Sequence, residues 1–172
     1  IKDLLAYSQL TRAEMELKPV SLSGAVKEAL AQLNGEVRKS GAQILVAPSL
    51  ADVTGHVPTL IQVIGNLLTN AIKFVAPGIQ PSVRVWSEER GELVRLCVED
   101  NGIGISPKHQ ARIFRVFERL HGVETYPGTG IGLAIVHKGA ERMGGEAGVE
   151  STPGKGSRFW VELAKPREEK IS

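Results

Sequence analysis

The stretch PTLIQVIGNLLTNAIKFV, residues 58–75, is the most informative in the chain. At 100° per residue, Leu60, Ile61, Ile64, Leu67, Leu68, Ala71, Ile72 and Val75 fall on one face. The pattern predicts an amphipathic helix opened by Pro58 and stopped before Pro77-Gly78. Gln62, Asn66, Thr69, Asn70 and Lys73 occupy the opposite arc, with Asn66, Asn70 and Lys73 aligned by spacings of four and three. Asparagine is a poor residue for a helix interior. Two on one line, followed by a lysine, mark a polar face that can act: asparagine oxygens ligate hard cations such as magnesium, and a lysine neutralises phosphate. A solvated face with two tolerated asparagines is the plainer alternative for this segment alone.

Working toward the C-terminus, Val83–Ser87 and Leu93–Glu99 read as strands joined around Arg90-Gly91. The second runs straight into Asp100-Asn101-Gly102-Ile103-Gly104. A carboxylate at a strand end can accept a hydrogen bond from an exocyclic amine such as that of adenine, and glycines beside it admit a flat ring. A tight turn is the competing reading. Gly128-Thr129-Gly130-Ile131-Gly132-Leu133 then leads into a helix over Ile131–Met143, whose free N–H groups and positive dipole end suit phosphate. The spacing is neither a Rossmann fingerprint nor a Walker loop. Thr152-Pro153-Gly154-Lys155-Gly156-Ser157 reads mainly as a turn before the last strand. Residues 106–127 are long for a connection and suggest a lid, with Phe114 and Phe117 either anchoring it or belonging to the core.

The remaining elements follow from periodicity. Residues 1–18 predict a helix that opens in mid-pattern, reads as the cut end of a longer one and stops at Pro19. Residues 23–40 predict a second helix closed by Gly41, followed by a strand at Ile44–Val46. A short helix is expected near Pro107–Val116, with closing strands at Glu146–Ser151 and Ser157–Leu163, then a charged tail over 166–172. The 172 residues are 42% apolar, with net charge +2, and no apolar run approaches a membrane span. The single cysteine, Cys97, excludes a disulfide framework and a multi-thiolate metal site, and the charge balance gives no bias toward nucleic acid. These features suggest a reducing, cytoplasmic setting. Of the 19 glycines, 12 lie in residues 102–156, which points to backbone approaching something closely there.

NLLTNAIKF (66–74), DNGIGI (100–105), FRVFERL (114–120) with GTGIGL (128–133), and TPGKGSRF (152–159) occur in that order. The order resembles the N, G1, F, G2 and G3 boxes of bacterial sensor histidine kinases, whose ATP-binding domain shares a superfamily with gyrase, Hsp90 and MutL. The likeness covers about residues 20–164, and Arg115 to Val136 look most like kinases that follow PAS or phytochrome modules.

The resemblance implies an α+β fold: a two-layer sandwich, a mixed sheet with helices on one face. Residues 1–18 would be the end of a dimerisation and phosphoacceptor helix pair, 19–165 the catalytic domain, and 166–172 a mobile tail. It implies ATP and Mg2+ as ligands. Asn70 would be the magnesium ligand, with Asn66 and Lys73 near the phosphates. Asp100 would bind the adenine amino group in a base pocket shaped by Gly102 and Gly104. Gly128, Thr129, Gly130, Gly132 and Leu133 would form the lid hinge and phosphate loop. Tyr126 and Ser157 would be further nucleotide contacts, Tyr126 from the lid, where Arg119 and His121 are also candidates.

In hydrolytic relatives a glutamate resembling a water activator stands four residues before the magnesium asparagine. Here that position is Asn66, which is no general base. The chain therefore looks built for transfer rather than hydrolysis. The acceptor motif resembles H-E-x-x-x-P, and none of His56, His109, His121 and His137 has that context. His137 and Glu141 fit a surface pair better than a metal pair. The implied partners are ATP or ADP, the chain's own phosphoacceptor domain in a homodimeric parent and a response-regulator receiver domain, with no nucleic acid. A docking or nucleotide-sensing module without kinase activity, and a serine kinase of the anti-sigma type, are the alternatives.

Overall fold

The computed structural model describes residues 2–12, 14–115 and 130–167. The elements in order are α1 (Lys2–Arg12), β1 (Lys18–Ser21), α2 (Leu22–Gln32), α3 (Asn34–Ser40), β2 (Gln43–Val46), β3 (Asp52–Gly55), α4 (Val57–Lys73), β4 (Ser82–Arg90), β5 (Leu93–Asp100), α5 (Pro107–Gln110), α6 (Gly132–Arg142), β6 (Glu146–Ser151) and β7 (Ser157–Ala164). A five-stranded sheet runs β2-β4-β5-β7-β6. It is mixed: β2 pairs parallel to β4, and the other pairs are antiparallel.

Strand alternation assigns the two faces. Val83, Val85, Val94, Leu96, Val98, Phe159, Val161 and Leu163 are buried together with the apolar stripe of α4 and with Val26 of α2 and Val136 of α6. Within α4 the predicted stripe is buried at Leu60, Ile64, Leu67, Leu68, Ala71 and Ile72, while Asn66, Asn70 and Lys73 are half-buried. The opposite face carries cross-strand rows. Arg84, Glu99, Arg158 and Glu150 form one, and Trp86, Cys97, Trp160 and Gly148 the next. Arg158 forks onto Glu99 at 2.8 and 3.0 Å, and Arg95 stacks 3.8 Å over Trp160 while bonding Glu162 at 2.9 Å. Burial pushes the Cys97 thiol up to about 11, so it is held protonated and is no nucleophile at neutral pH.

The fold is the expected mixed sheet with helices on one face, with four local corrections. First, α1 stops at Arg12, and Pro19 lies in β1, not at a helix end. That strand pairs with β3, also missed, in a separate two-stranded sheet. Pro19 is tolerated there because this small sheet leaves β1 as an edge. Second, the helix expected over 23–40 is two helices meeting at Leu33, whose φ of −98° and ψ of 7° interrupt the helical path. Gly41 closes α3 with φ 68°, as its position predicted. Third, the helix expected at Pro107–Val116 is a single turn, Pro107–Gln110, followed by non-helical turns. Fourth, β4 extends three residues beyond Ser87, to Arg90, lengthening the hairpin with β5. Of the two candidate anchor rings, Phe114 packs on the core, 6.4 Å edge-on from Phe159. Phe117 lies outside the described residues.

Helix α1 lies on α6, where Leu10 is buried with Ile131 and Ile135. Leu4 and Leu5 remain 47% and 58% exposed on the same helix.

Candidate functional site

Two glycine-bearing segments meet the C-terminal half of α4, and a third glycine turn packs on the first of them. The first is the strand end. Asp100 closes β5, and its Oδ1 accepts the Gly102 N–H at 2.8 Å and the Ser157 N–H at 3.1 Å. Both bonds use one oxygen, so Oδ2 takes neither. Burial pushes the Asp100 carboxyl up to about 6; the two N–H bonds act in the opposite direction, and Glu99 adds to the rise. A half-buried carboxylate anchored through one oxygen, with the other uncommitted, is suited to receive a hydrogen-bond donor from a ligand.

The loop after Asp100 is fixed by α4 and by the third glycine turn. The Ile103 N–H donates to the Phe74 carbonyl at the end of α4, at 2.9 Å, and the Gly154 N–H donates to the Ile103 carbonyl at 2.8 Å. A Cβ on Gly102 would collide with that Phe74 carbonyl. Gly104 has φ 76°, and a Cβ there would run into the Thr152 carbonyl. Because both obstacles are backbone, neither can move cheaply. Gly104→Ala combines the left-handed backbone cost with this clash, so it is expected to destabilise the domain by about 2–4 kcal/mol. Thermal unfolding checks this; a variant with unchanged Tm would contradict the close approach.

The second segment enters α6. Gly132 is the first residue of that helix, and a Cβ on it would lie 3.4 Å from Asn66 Oδ1. The α6 N-terminus therefore abuts the polar arc of α4. Gly130 takes φ 76°, a left-handed turn just before the helix, and Leu133 packs partly buried on the core. Lys73 sits with its Nζ 4.8 Å from the Phe74 ring centroid, at the end of α4 nearest the Asp100 loop.

The structure thus places Asp100, Gly102, Gly104 and Ser157 together at the end of β5, and Gly132 against Asn66, with Asn70 and Lys73 on the same helix arc as Asn66. Tyr126, Gly128 and Thr129, with Arg119 and His121, lie outside the described residues. His137 is exposed, its ring 5.9 Å from that of Phe114, and it is Lys138 that bonds Glu141, at 3.2 Å. No group of three His, Cys, Asp or Glu side chains able to hold a metal occurs among the described residues. Any cation beside α4 would have to be held by few protein oxygens together with phosphates, and the amide oxygens of Asn66 and Asn70 suit a hard ion.

The sequence reading missed Ser151 and Gln110. Ser151 Oγ accepts the Ile105 N–H at 2.8 Å, and Gln110 Nε2 donates to the Ile105 carbonyl at 2.9 Å and the Ser151 carbonyl at 3.0 Å. They tie the Asp100 loop to β6 and α5. Their signal was tertiary, since 46 and 41 residues separate the bonded pairs that reach Ser151.

An acid at the end of a central strand, asparagines on a neighbouring helix and glycine turns beside both suit a nucleotide. Residues 55–167 match the histidine kinase-, DNA gyrase B- and HSP90-like ATPase family, and the chain belongs to it. Among its relatives is the phytochrome-like protein Cph1 of Synechocystis, 38% identical over 163 residues, or 95% of this chain and 22% of Cph1. The circadian input-output histidine kinase CikA of Synechococcus elongatus is 37% identical over 169 residues, covering 94% of this chain and 22% of CikA. This chain therefore spans about a fifth of the length of these relatives. Full-length ShkA, solved in complex with AMPPNP, superposes with TM-score 0.79 and 30% identity over 97% of this chain and 36% of ShkA. The catalytic domain of the histidine kinase ThkA does so with TM-score 0.73 and 26% identity, covering 88% of this chain and 97% of that domain. The relatives include phytochrome-like proteins. No helix among the described residues is long and apolar enough to cross a membrane.

Proposed function

We propose that this chain is the ATP-binding catalytic domain of a sensor histidine kinase. It would transfer the γ-phosphoryl group of ATP to a histidine on an upstream helix, for relay to an aspartate of a response-regulator receiver domain. The observation that carries this reading is Asp100, held through Oδ1 by Gly102 and Ser157 with Oδ2 free of both bonds, in a loop whose Ile103 N–H is bonded to the Phe74 carbonyl at the end of the helix that bears Asn66 and Asn70. Asp100 Oδ2 would accept from the adenine amino group, and the bare backbone at Gly102 and Gly104 would lie against the ring. Asn70 would hold Mg2+, which neutralises phosphate charge; Asn66 and Lys73 would orient the phosphates. The N–H groups at the start of α6, with Gly128, Thr129, Gly130, Gly132 and Leu133, would cradle them, and Tyr126 would add a contact from the lid.

Phosphoryl transfer depends mainly on positioning and charge neutralisation, so one domain can hold the nucleotide while another brings the acceptor. Asn66 supports transfer over hydrolysis, because an amide cannot deprotonate water. Residues 1–18 would belong to the dimerisation and phosphoacceptor helix pair, 19–165 to the catalytic domain and 166–172 to a tail. The exposed Leu4 and Leu5 of α1 support that division, since a partner helix in a homodimeric parent would cover them. The site itself would face the cytoplasm, where ATP is supplied.

Incubating the chain alone with radiolabelled ATP should give no self-labelling, because none of its four histidines has the acceptor context. Strong label, stable to base and labile to acid, would contradict the reading.

A further inference from the structure

Asp100, Ser157 and Ser151 stand side by side on β5, β7 and β6, in one cross-strand row on the helix-covered face. Ser151 Oγ has three polar neighbours. The Ile105 N–H lies at 2.8 Å, the Gly156 carbonyl oxygen at 2.9 Å and Ser157 Oγ at 2.7 Å. A hydroxyl has one proton and two lone pairs. Ile105 can only donate and Gly156 can only accept. If Ser151 gives its proton to Gly156, its two lone pairs receive the Ile105 N–H and the Ser157 O–H, and all three bonds form. If it donates to Ser157 instead, one of its lone pairs is unused, and the Gly156 carbonyl keeps only the Thr152 N–H at 3.4 Å. The first arrangement makes one more good bond in a half-buried setting, where unmade bonds are costly. Ser157 is therefore the donor of its pair.

The consequence reaches the neighbouring carboxylate. With its proton committed to Ser151, the buried Ser157 hydroxyl presents only lone pairs on its other side. Ionised Asp100 is likewise an acceptor only. We infer that Ser151 is a positioning residue for base selection: by taking the Ser157 proton it leaves Ser157 and Asp100 as adjacent acceptors, which match a purine edge bearing an exocyclic amine and reject one bearing a carbonyl. The inference rests on the reading of Asp100 as the base ligand.

The test compares the Kd of ATP with that of inosine triphosphate, which carries a carbonyl where adenine carries the amine. Wild type should prefer ATP. Ser151→Ala frees the Ser157 proton to meet a carbonyl, and should narrow the ATP preference by about tenfold, the worth of one hydrogen bond. Ser151→Thr keeps the hydroxyl and should restore the preference. In a Ser157→Ala background, Ser151→Ala should leave the ratio unchanged, as a double-mutant cycle requires if Ser151 acts through Ser157. If Ser151→Ala fails to fold, Ser151→Cys gives the same reading, because sulfur is a weak acceptor. Equal weakening of both nucleotides by Ser151→Ala, or an undiminished effect without Ser157, would overturn the relay and leave the Asp100 assignment standing. A wild type that binds neither nucleotide, or both equally, would overturn the Asp100 assignment itself.

Discussion

Asp100→Asn should abolish useful nucleotide affinity while making the empty domain more stable. The asparagine Oδ1 can still accept the Gly102 and Ser157 N–H groups, so the loop keeps its anchor. Where Oδ2 stood, however, an NH2 would face the incoming amine, donor against donor. Losing a hydrogen bond to a charged group costs about 1.5–3 kcal/mol, and the opposed donors add to it, so ATP affinity should fall about a hundredfold or more.

Stability moves the other way. The carboxyl is raised from 3.8 to about 6, chiefly by burial. A group whose folded pKa is raised contributes stability that is fully present below the unfolded value and is lost as the pH rises through the folded one. The wild-type domain therefore loses stability between about pH 4 and 6, by up to about 3 kcal/mol for a shift of that size. The neutral asparagine removes this loss, so the Tm gap in favour of the variant should open across that window and persist at pH 8. In wild type, ATP affinity should weaken as the pH falls through 6, when the carboxyl gains a proton. Calorimetry and thermal unfolding read the two effects separately. An unchanged Kd would remove Asp100 from the base pocket, and a less stable variant would contradict its buried-charge cost.

Asn70→Ala tests the metal assignment. Asn70 is half-buried on the polar arc of α4, and alanine is the better helix former, so Tm should hold or rise slightly. Wild-type affinity for ATP should differ between magnesium and EDTA buffers, and the variant should bind in magnesium only as well as wild type binds in EDTA. The loss is expected to be about a hundredfold, or about 2.7 kcal/mol. Wild-type affinity in magnesium, with the gap to EDTA intact, would show that the metal is held elsewhere.

Much of this site was legible because its signals are local. The α4 stripe repeats at helical spacing and is buried at Leu60, Ile64, Leu67, Leu68, Ala71 and Ile72, while Thr59 and Val63, outside that stripe, are buried too. Asp100 stands at the end of an alternating strand, and glycines mark backbone that must pass close to other backbone, as Gly102 and Gly104 do. What escaped depends on partners distant in sequence. The strand β1 has only four residues, includes Pro19 and exists through pairing with β3. Neither segment carries a periodicity long enough to read. The break at Leu33 is followed directly by Asn34-Gly35, but the apolar positions Val26, Leu30, Leu33 and Val37 keep helical spacing across it, so the pattern reads as one helix. Ser151 gave no sign because a serine before a turn looks like turn chemistry. Only the sheet register places it beside Ser157 and within reach of Ile105. Family likeness supplied the roles of Asn70 and Lys73, which neither spacing nor packing alone would have fixed.

Phosphoryl transfer in trans is the most direct test of a histidine kinase catalytic domain. The chain, supplied with Mg-ATP labelled at the γ-position and with the upstream helix pair bearing the acceptor histidine, should label that histidine. The label should be acid-labile and base-stable, and should vanish with Asp100→Asn or Asn70→Ala. An unlabelled helix pair in the presence of a chain shown to bind ATP, or label recovered on serine, would contradict it.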